Sequence, residues 1–270
     1  MSTKTETTQR STAGRVLAGV VRDRSAISLR EVDATAALQR RVDRTYLVTA
    51  GQLHRLAAEM GPRFRALEID RERVMRYDSV YFDTDDLDLF RAHRQGRRRR
   101  FKVRVRTYVD SGTSFVEVKT KSGRGETVKH RIPHPPEWRA ALDDRATAFV
   151  HQVIREQYDL AVQPLVPALE SRYRRATLVD PVAGERLTCD VDLQWSGADG
   201  RQVSGPDLVL LESKTTDRGR VDDVLASWGI RPLSMSKYAL GTALLRPHLA
   251  ANKWSRLLRR EFDWERAEPV

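Results

Sequence analysis

The residues best suited to chemistry are charged pairs spaced two positions apart, with apolar residues between and beside them. Successive side chains of an extended strand point to opposite faces, so both members of a pair share one face. A face with several such pairs suits a phosphate-bearing anion, and a carboxylate among the cations could hold a divalent metal. The pairs are Arg104 with Arg106, Glu117 with Lys119, Lys129 with Arg131, and Glu212 with Lys214.

Branched apolar residues occupy the alternate positions of the same segments, Val103 and Val105 among them. If the segments form one sheet, one face is apolar and the other carries mostly positive charge. The same parity extends into a further segment, where the polar positions are Arg186, Thr188, Asp190 and Asp192.

The charge balance narrows the class of partner. The chain has 270 residues, of which 31% are charged, and its net charge is +11. An anion is therefore the favoured partner: nucleic acid, an anionic membrane surface or a phosphate compound. Lysine is rare, and chance or codon bias is one explanation. The other is that a compact ammonium suits a point contact with a phosphate oxygen.

Compartment and membrane signals are simple. The single cysteine, Cys189, excludes an intramolecular disulfide framework and fits a reducing compartment. No apolar run approaches the roughly 20 residues that a membrane-spanning helix needs, and the N-terminus lacks an apolar signal core. We therefore expect a cytoplasmic protein without a transmembrane segment.

Composition and periodicity divide the chain into three parts. Residues 1–38 are rich in Ser, Thr, Ala and Arg, and we expect a flexible basic tail there. Residues 39–247 show regular strand and helix patterns without a linker and are predicted to be one domain. Residues 248–270 are predicted to be a C-terminal amphipathic helix and tail.

The pattern within 39–247 predicts an α+β fold. Strands at about 100–109, 114–121 and 126–132 are separated by turn residues, which favours an antiparallel meander. Further strands are expected at 168–179, 185–194 and 207–215, and helical spacing follows residue 137. About eight strands suffice to close a barrel, with the helices packed on the outside.

An antiparallel eight-stranded β-barrel tunnel of this kind would enclose the charged face. Two unit charges about 5 Å apart repel by roughly 3 kcal/mol at an effective dielectric near 20. That cost is tolerable when a polyanion normally occupies the space.

The ordered segments resemble the VTC (vacuolar transporter chaperone) polyphosphate polymerase domain, within the triphosphate tunnel metalloenzyme (CYTH-like) superfamily. The resemblance covers roughly residues 40–246. It is carried by S-V-Y-F-D-T at 79–84, K-V-R-V-R at 102–106, V-E-V-K-T-K at 116–121, V-K-H-R at 128–131, R-Y-R-R-A at 172–176, E-R-L-T-C-D at 185–190, L-L-E-S-K at 210–214 and S-M-S-K-Y at 234–238.

The resemblance implies a tunnel enzyme that transfers the γ-phosphate of ATP to a growing polyphosphate chain, with Mn²⁺ or Mg²⁺. The catalytic positions that it implies are Arg104, Arg106, Lys119 and Lys237. It implies substrate contacts for Lys129, Arg131, Arg175, Arg186 and Lys214, and a metal contact for Glu212. It also implies a membrane-protein partner beside ATP and inorganic polyphosphate, so that the protein would be membrane-associated through that partner.

One departure keeps two alternatives open. The family commonly has an acidic residue, any residue, then Lys-Tyr, whereas this chain reads Asp43-Arg44-Thr45-Tyr46. Arg44 has the opposite strand parity and could replace the lysine only if a bulge re-aims it. A hydrolase of triphosphate or polyphosphate, and a non-catalytic polyphosphate-binding module, are the alternatives.

A nucleic-acid binder rests on the arginine run at 97–100 and on the high net charge. No zinc-ligand spacing, RNP-like aromatic pattern or helix-turn-helix signal accompanies that run. The sequence therefore disfavours nucleic acid as the partner.

Overall fold

The computed structural model describes residues 11–35, 42–121 and 127–267. The helices are α1 (Thr12–Arg22), α2 (Leu29–Thr35), α3 (Ala50–Met60), α4 (Asp88–Gln95), α5 (Asp144–Tyr158), α6 (Arg220–Ser227), α7 (Lys237–Leu245) and α8 (Ser255–Phe262). The strands are β1 (Ala26–Ser28), β2 (Val42–Val48), β3 (Arg65–Glu68), β4 (Met75–Asp83), β5 (Phe101–Tyr108), β6 (Thr113–Lys121), β7 (Thr127–His134), β8 (Val166–Asp180), β9 (Glu185–Ser196), β10 (Gln202–Ser204) and β11 (Val209–Thr215).

The described chain divides into two units. The first unit is built from the chain up to Met75, Arg174–Asp192 and Asp207–Ser234. The second unit is built from Arg76–Tyr173, Leu193–Pro206 and the chain from Met235 onward. Strands β8 and β9 each supply residues to both units.

In the first unit, neighbouring strands follow the order β2, β11, β9, β8. The pairs β2–β11 and β11–β9 are antiparallel, and β3 pairs with β8 while β1 pairs in parallel with β3. One face of this sheet is apolar and is buried against α1, α3 and α6, through residues such as Leu187, Val191 and Leu211. The predicted alternation is therefore present, and it leaves the charged positions on the other face.

In the second unit, the strand order is β8, β4, β5, β6, β7. The antiparallel meander predicted from the turn residues is confirmed as β5, β6 and β7. Val103, Val105, Val116 and Val118 are buried against α5, which covers this apolar face. The predicted α+β class, with antiparallel strands and helices packed outside them, is confirmed, and closure into an eight-stranded tunnel stays a prediction.

The predicted N-terminal tail is wrong for residues 11–35. Helix α1 packs Leu17, Val20 and Val21 into the core of the first unit. Its N-terminus is fixed because the Asp207 carboxylate accepts hydrogen bonds from the backbone N–H groups of Thr12 and Ala13, at 3.0 and 2.7 Å. The apolar residues recur at helical spacing, which a search for strand alternation does not detect. The rest of the predicted tail, 1–10 and 36–38, lies outside the described residues.

The C-terminal helix is shorter than expected. Helix α8 begins at Ser255, whereas the sequence predicted a helix from residue 248. Leu258 is its buried anchor in the second unit. None of the helices in the described part of the chain has the length and apolar character required to cross a membrane.

Candidate functional site

The charged face of the second unit is centred on the buried carboxylate of Glu117. Arg104 donates to Glu117 Oε2 from Nε at 2.8 Å and from Nη2 at 2.5 Å. Lys129 Nζ lies 3.4 Å from Oε1, and Arg106 Nη1 lies 4.0 Å from Oε2. Burial would raise the pKa of Glu117, but the charges of Arg104, Arg106 and Lys129 outweigh it and hold this pKa well below its ordinary value. Glu117 is therefore an anion that fixes the three cations in place.

Tyrosine hydroxyls orient the two arginines further. Arg104 Nη1 donates to the Tyr81 hydroxyl at 3.1 Å, and Arg106 Nη2 donates to the Tyr173 hydroxyl at 2.8 Å. Burial alone would raise the pKa of Tyr81, but the charges of Arg104, Arg106 and Lys237 lower it. Both guanidinium groups thus have fixed positions, which suits them to charge-assisted binding of phosphate oxygens.

Lys237 joins this face from α7. It is the first residue of that helix, after the Ser236 N-cap, whose hydroxyl accepts from the backbone N–H of Ala239 at 3.2 Å. Its Nζ lies 4.5 Å from the centroid of the Tyr173 ring, the same tyrosine that orients Arg106. The structure therefore brings Lys237 close to Arg106 through a shared aromatic neighbour.

Strand register places the remaining cations of this unit in rows. Lys119 pairs with Lys102 on β5 and with Lys129 on β7, which gives three lysines side by side. In the next row, Glu117 pairs with Arg104 and Arg131. We call the charged side of β5, β6 and β7 the cation face. Its described cations are Lys102, Arg104, Arg106, Lys119, Lys121, Lys129 and Arg131.

The charged face of the first unit has a different chemistry. Glu212 pairs in register with Thr45 on β2 and with Thr188 on β9. Lys214 Nζ lies 2.8 Å from Glu212 Oε2, and burial lowers the pKa of Lys214 to about 8. Arg186 pairs in register with Lys214. This face therefore offers the Glu212 carboxylate beside the hydroxyls of Thr45 and Thr188 and two cations, with Asp43 opposite Lys214.

Arg175 also lies in the first unit but is held by a carboxylate. Its Nε donates to Asp190 Oδ1 at 2.5 Å and its Nη2 donates to Oδ2 at 2.8 Å. This two-point pairing neutralises much of the Arg175 charge. Glu117 holds Arg104 with two hydrogen bonds in the same way, so both arginines have fixed orientations.

Asp192 does not follow the parity that the sequence predicted for it. Its backbone φ is +54°, a left-handed conformation that interrupts the alternation of β9. Its carboxylate accepts from the Ser11 hydroxyl at the start of α1 and from Arg174 Nε, the latter at 2.7 Å. Asp192 thus anchors α1 and is not part of the charged face.

The position of Thr45 bears on the departure noted in the sequence. Thr45 lies opposite Glu212, and no bulge is needed to pair β2 with β11 from Val42 to Val48. Arg44 points elsewhere, since its Nη1 donates to Asp222 Oδ2 at 2.9 Å and to the Asp217 carbonyl at 2.7 Å. Arg44 therefore does not replace the lysine that the family commonly has.

Glu212 is the residue best placed to hold a divalent cation. Among the described residues, no group of three His, Cys, Asp or Glu side chains lies close enough to hold a metal by itself. One carboxylate with flanking hydroxyls suits a hard cation whose other ligands are water and phosphate oxygens. The residues present therefore fit a metal that arrives with a phosphate substrate, and they do not fit a metal caged by the protein.

One cavity in the first unit does not coincide with the charged face. It has a volume of about 700 Å³ and is lined by Met60, Arg63, Glu185 and Thr215, among others. The Glu185 carboxylate accepts from the backbone N–H groups of Arg220 and Val221 at the start of α6. The cavity contains none of the predicted site residues, so we do not assign the chemistry to it.

The predicted site residues therefore fall into two groups. The second unit holds Arg104, Arg106, Lys119, Lys129, Arg131 and Lys237, and the first unit holds Arg175, Arg186, Glu212 and Lys214. The sequence did not indicate the tyrosines that position the arginines. Parity was the available signal for one of them, since Tyr81 alternates with buried Val80 and Phe82 on β4.

Comparison with known proteins decides the family. The model of the VTC domain matches residues 40–246. The chain belongs to the VTC domain family. This match confirms, over most of the chain, the resemblance inferred from the motifs. No curated protein matches the chain significantly.

Three solved structures show a remote likeness to this VTC domain. HpAC1 from Hippeastrum, described with a dominant triphosphatase activity, is 15% identical with a TM-score of 0.46, covering 75% of this chain and 95% of its own. The PH1012 protein of Pyrococcus horikoshii is 11% identical with a TM-score of 0.38, covering 71% and 91%. A conserved hypothetical protein of Pyrococcus furiosus is 10% identical, with the same TM-score and coverage. At these scores the likeness carries no argument about function.

Proposed function

We propose that this VTC domain is a metal-dependent polyphosphate polymerase, which transfers the γ-phosphate of ATP to a growing polyphosphate chain. The observation that supports it is the composition of the cation face. Seven cations and one carboxylate, Glu117, share one side of the described parts of β5, β6 and β7. That carboxylate is already engaged by Arg104 and Lys129. The remaining positive charge calls for an anion of high charge density.

The length of the face favours a chain of phosphates over a single phosphate. From Arg106 to Lys102 the cations are spaced two residues apart, which is about 6.6 Å per step along the strand. The row of Lys102, Lys119 and Lys129 extends the positive charge across three strands as well. A phosphate chain can neutralise all of these ammonium groups together, whereas an isolated phosphate can neutralise only a few.

Phosphoryl transfer demands positioning and charge neutralisation more than a protein nucleophile. In the proposal, Arg104 and Arg106 grip the transferring phosphoryl groups, since both have fixed orientations. Lys119, Lys129 and Arg131 bind the neighbouring phosphates, and Lys237 adds a point charge beside Arg106.

The face of the first unit supplies the remaining roles. Arg175, Arg186 and Lys214 bind further phosphate oxygens. Glu212 would hold Mn²⁺ or Mg²⁺, which when bound neutralises charge on phosphate oxygens. Lys214 must share Glu212 with that cation, because its Nζ lies 2.8 Å from Oε2.

The test is product analysis after incubation of the chain with γ-labelled ATP and Mn²⁺. Long polymer on a gel supports the polymerase, whereas orthophosphate alone indicates a hydrolase, and tight binding without turnover indicates a binding module. The variant Lys119→Gln should lose polymer synthesis, since it removes the middle charge of the lysine row. The matched control is Arg145→Gln on the exposed start of α5, which should behave like the wild type.

We also propose that the protein works in the cytoplasm, where a membrane-protein partner anchors it. This part rests on the resemblance and on the buried, unpaired Cys189. Capture of a membrane protein with the full chain in cell extract would support it. If cell fractionation recovers the chain in the soluble fraction and none of it with the membranes, this part of the proposal is wrong.

A further inference from the structure

A second concentration of positive charge lies where the cation face ends. The loop after α4 carries Arg97, Arg98, Arg99 and Arg100, of which the first three are exposed. Lys253 is also exposed and lies near Arg100 and Lys121, whose charges, after burial, lower the pKa of Lys253. We call residues 97–100 with Lys253 the end patch.

The arginines of the end patch are bonded to neutral oxygens. Arg97 Nε donates to the side-chain oxygen of Gln95 at 2.7 Å, and Arg99 Nη1 donates to the carbonyl of Tyr158 at 3.3 Å. Arg100 Nη1 donates to the carbonyl of Arg97 at 2.5 Å. Within the described chain, no carboxylate forms an ion pair with a residue of the end patch. The patch therefore keeps its full charge for an anion from outside.

Arg100 connects the end patch to the cation face, whereas Arg99 is directed to the C-terminal end of α5. Lys121 is the last residue of β6 and shares its side with Lys119 and Glu117. Its backbone N–H donates to the carbonyl of Arg100 at 3.2 Å, so the patch begins at the end of that strand. The hydroxyl oxygen of Tyr158 lies 2.8 and 2.7 Å from the carbonyls of Arg100 and Lys121, either of which can accept its single proton, and it accepts from the Lys121 backbone N–H at 2.6 Å. This bonding fixes the arginine loop against the strand end.

We infer that the end patch binds the part of a long polyphosphate chain that extends beyond the cation face. The inference rests on the proposed function, because it assumes that the cation face itself holds phosphates. A chain that fills the row of Lys102, Lys119 and Lys129 meets Lys121 and then the end patch within two further residues of strand. Affinity should therefore rise with chain length, while a triphosphate leaves the patch unused.

The chemistry of the patch favours phosphate chains over nucleic acid. Single-stranded nucleic acid is held by aromatic side chains that stack on its bases. The aromatic residue next to Lys253, Trp254, is only 5% exposed, and Phe101 beside Arg100 is partly buried. The patch thus presents charge without a stacking platform, which matches an anion that has no bases.

The experiment compares two triple variants in binding to tripolyphosphate and to polyphosphate of several dozen units. The patch variant is R97Q/R98Q/K253Q, and the control R30Q/R145Q/R155Q removes the same charge from exposed arginines elsewhere. We expect the patch variant to bind the long chain about tenfold more weakly, with a salt dependence whose slope is smaller by about two. Binding of tripolyphosphate should change less than about twofold, since exposed charges this distant are screened by salt. The control should match the wild type with both ligands.

Each outcome bears on one claim. Equal loss in the patch and control variants, or no gain in affinity with chain length, overturns the role of the end patch while leaving tripolyphosphate binding intact. If neither phosphate ligand binds and ATP is not processed, the proposed function itself fails. Two further arms use a single-stranded DNA of equal phosphate number and vesicles containing phosphatidylserine. A larger effect of the patch variant on either than on long polyphosphate assigns the patch to that ligand and overturns the inference.

Discussion

Glu117 and Glu212 have similar sequence contexts but differ in exposure and contacts in the folded chain. Glu117 in V-E-V-K and Glu212 in L-E-S-K each precede a lysine by two residues on a strand. The Glu117 side chain is 0% exposed and contacts Arg104, Arg106 and Lys129. The Glu212 side chain is 25% exposed, and its Oε2 lies 2.8 Å from Lys214 Nζ. Glu117 therefore fixes the positions of cations, whereas Glu212 is exposed enough to contact a metal ion.

A carboxylate in a binding face can therefore have one of two distinct roles. A carboxylate that is outnumbered by cations lowers their mutual repulsion and fixes their geometry before the substrate arrives. A carboxylate with solvent access can exchange its partner for an incoming ion. Removing the first should harm stability, and removing the second should harm turnover.

The largest expected effect is that of Glu117→Gln on stability. The substitution leaves the buried guanidinium of Arg104 without its anion, and breaking such a pair costs about 3–5 kcal/mol. Urea unfolding measures the change, with Glu212→Gln as the control. A Glu117→Gln protein that is as stable as the control would show that the two glutamates do not differ as described.

Glu212→Gln should act on turnover. We expect ATP processing with Mn²⁺ to fall by about a hundredfold or more, since a positioned charge stabiliser is worth that much in comparable sites. Its stability should fall by less than that of Glu117→Gln, because Glu212 is partly exposed and the buried Lys214 also has Asp43 opposite it in the strand register. Glu137→Gln, at an exposed carboxylate in the short 3₁₀ helix Pro136–Trp138, is the control for activity. Unchanged turnover in Glu212→Gln would remove the metal role from this residue.

Asp78 extends the comparison to a carboxylate that faces a second carboxylate. It lies near Glu170, and Arg139 and Arg172 contact both. Burial and the charge of Glu170 raise the pKa of Asp78 to about 6. The folded chain then binds a proton more tightly than the unfolded chain, whose Asp pKa is about 4. The contribution of Asp78 to stability should therefore fall as pH rises from about 4 to about 6.

Asp78→Asn should remove that part of the pH dependence. Unfolding free energies of the wild type and the variant, measured across this range, give the difference directly. If the difference in unfolding free energy between the wild type and the variant does not vary with pH, the pKa of Asp78 is not raised. The neighbouring cations, and not Glu170, then determine that pKa, as cations do at Glu117.

The smallest expected effect is that of Tyr81→Phe. Arg104 loses one hydrogen bond but keeps both of its bonds to Glu117, so the cost should be about 1 kcal/mol in stability. Tripolyphosphate binding, measured by calorimetry, should weaken only a few-fold. A loss as large as that of Glu117→Gln would mean that the tyrosine, and not the carboxylate, fixes Arg104.

The sequence predicted the alternating strands well, because alternation and turn residues are local signals. The meander from Phe101 to His134 and the parity of Glu212 and Lys214 follow from them. Helix α1 was missed because its short apolar stripe lies among Ser, Thr and Arg residues. The local pattern also could not show that Asp192 has a positive φ, which turns its carboxylate toward α1.

The sequence did not show which charged residues on neighbouring strands contact one another. Spacing alone shows that Arg104 and Arg106 share a face, but not that Glu117 lies opposite Arg104 in the register of β5 and β6. Nor does it show that Asp190 holds Arg175, because that contact joins residues 15 positions apart. The strand face of each charged residue could therefore be predicted, whereas the different contacts of Glu117 and Glu212 could not.

The most direct measurement of the central claim is a crystal structure of the chain with tripolyphosphate. The account predicts phosphate density against Arg104 and the row of Lys102, Lys119 and Lys129, with Glu117 still bonded to Arg104. Density confined to the cavity beside Glu185, or phosphate bound with the lysine row untouched, would contradict it.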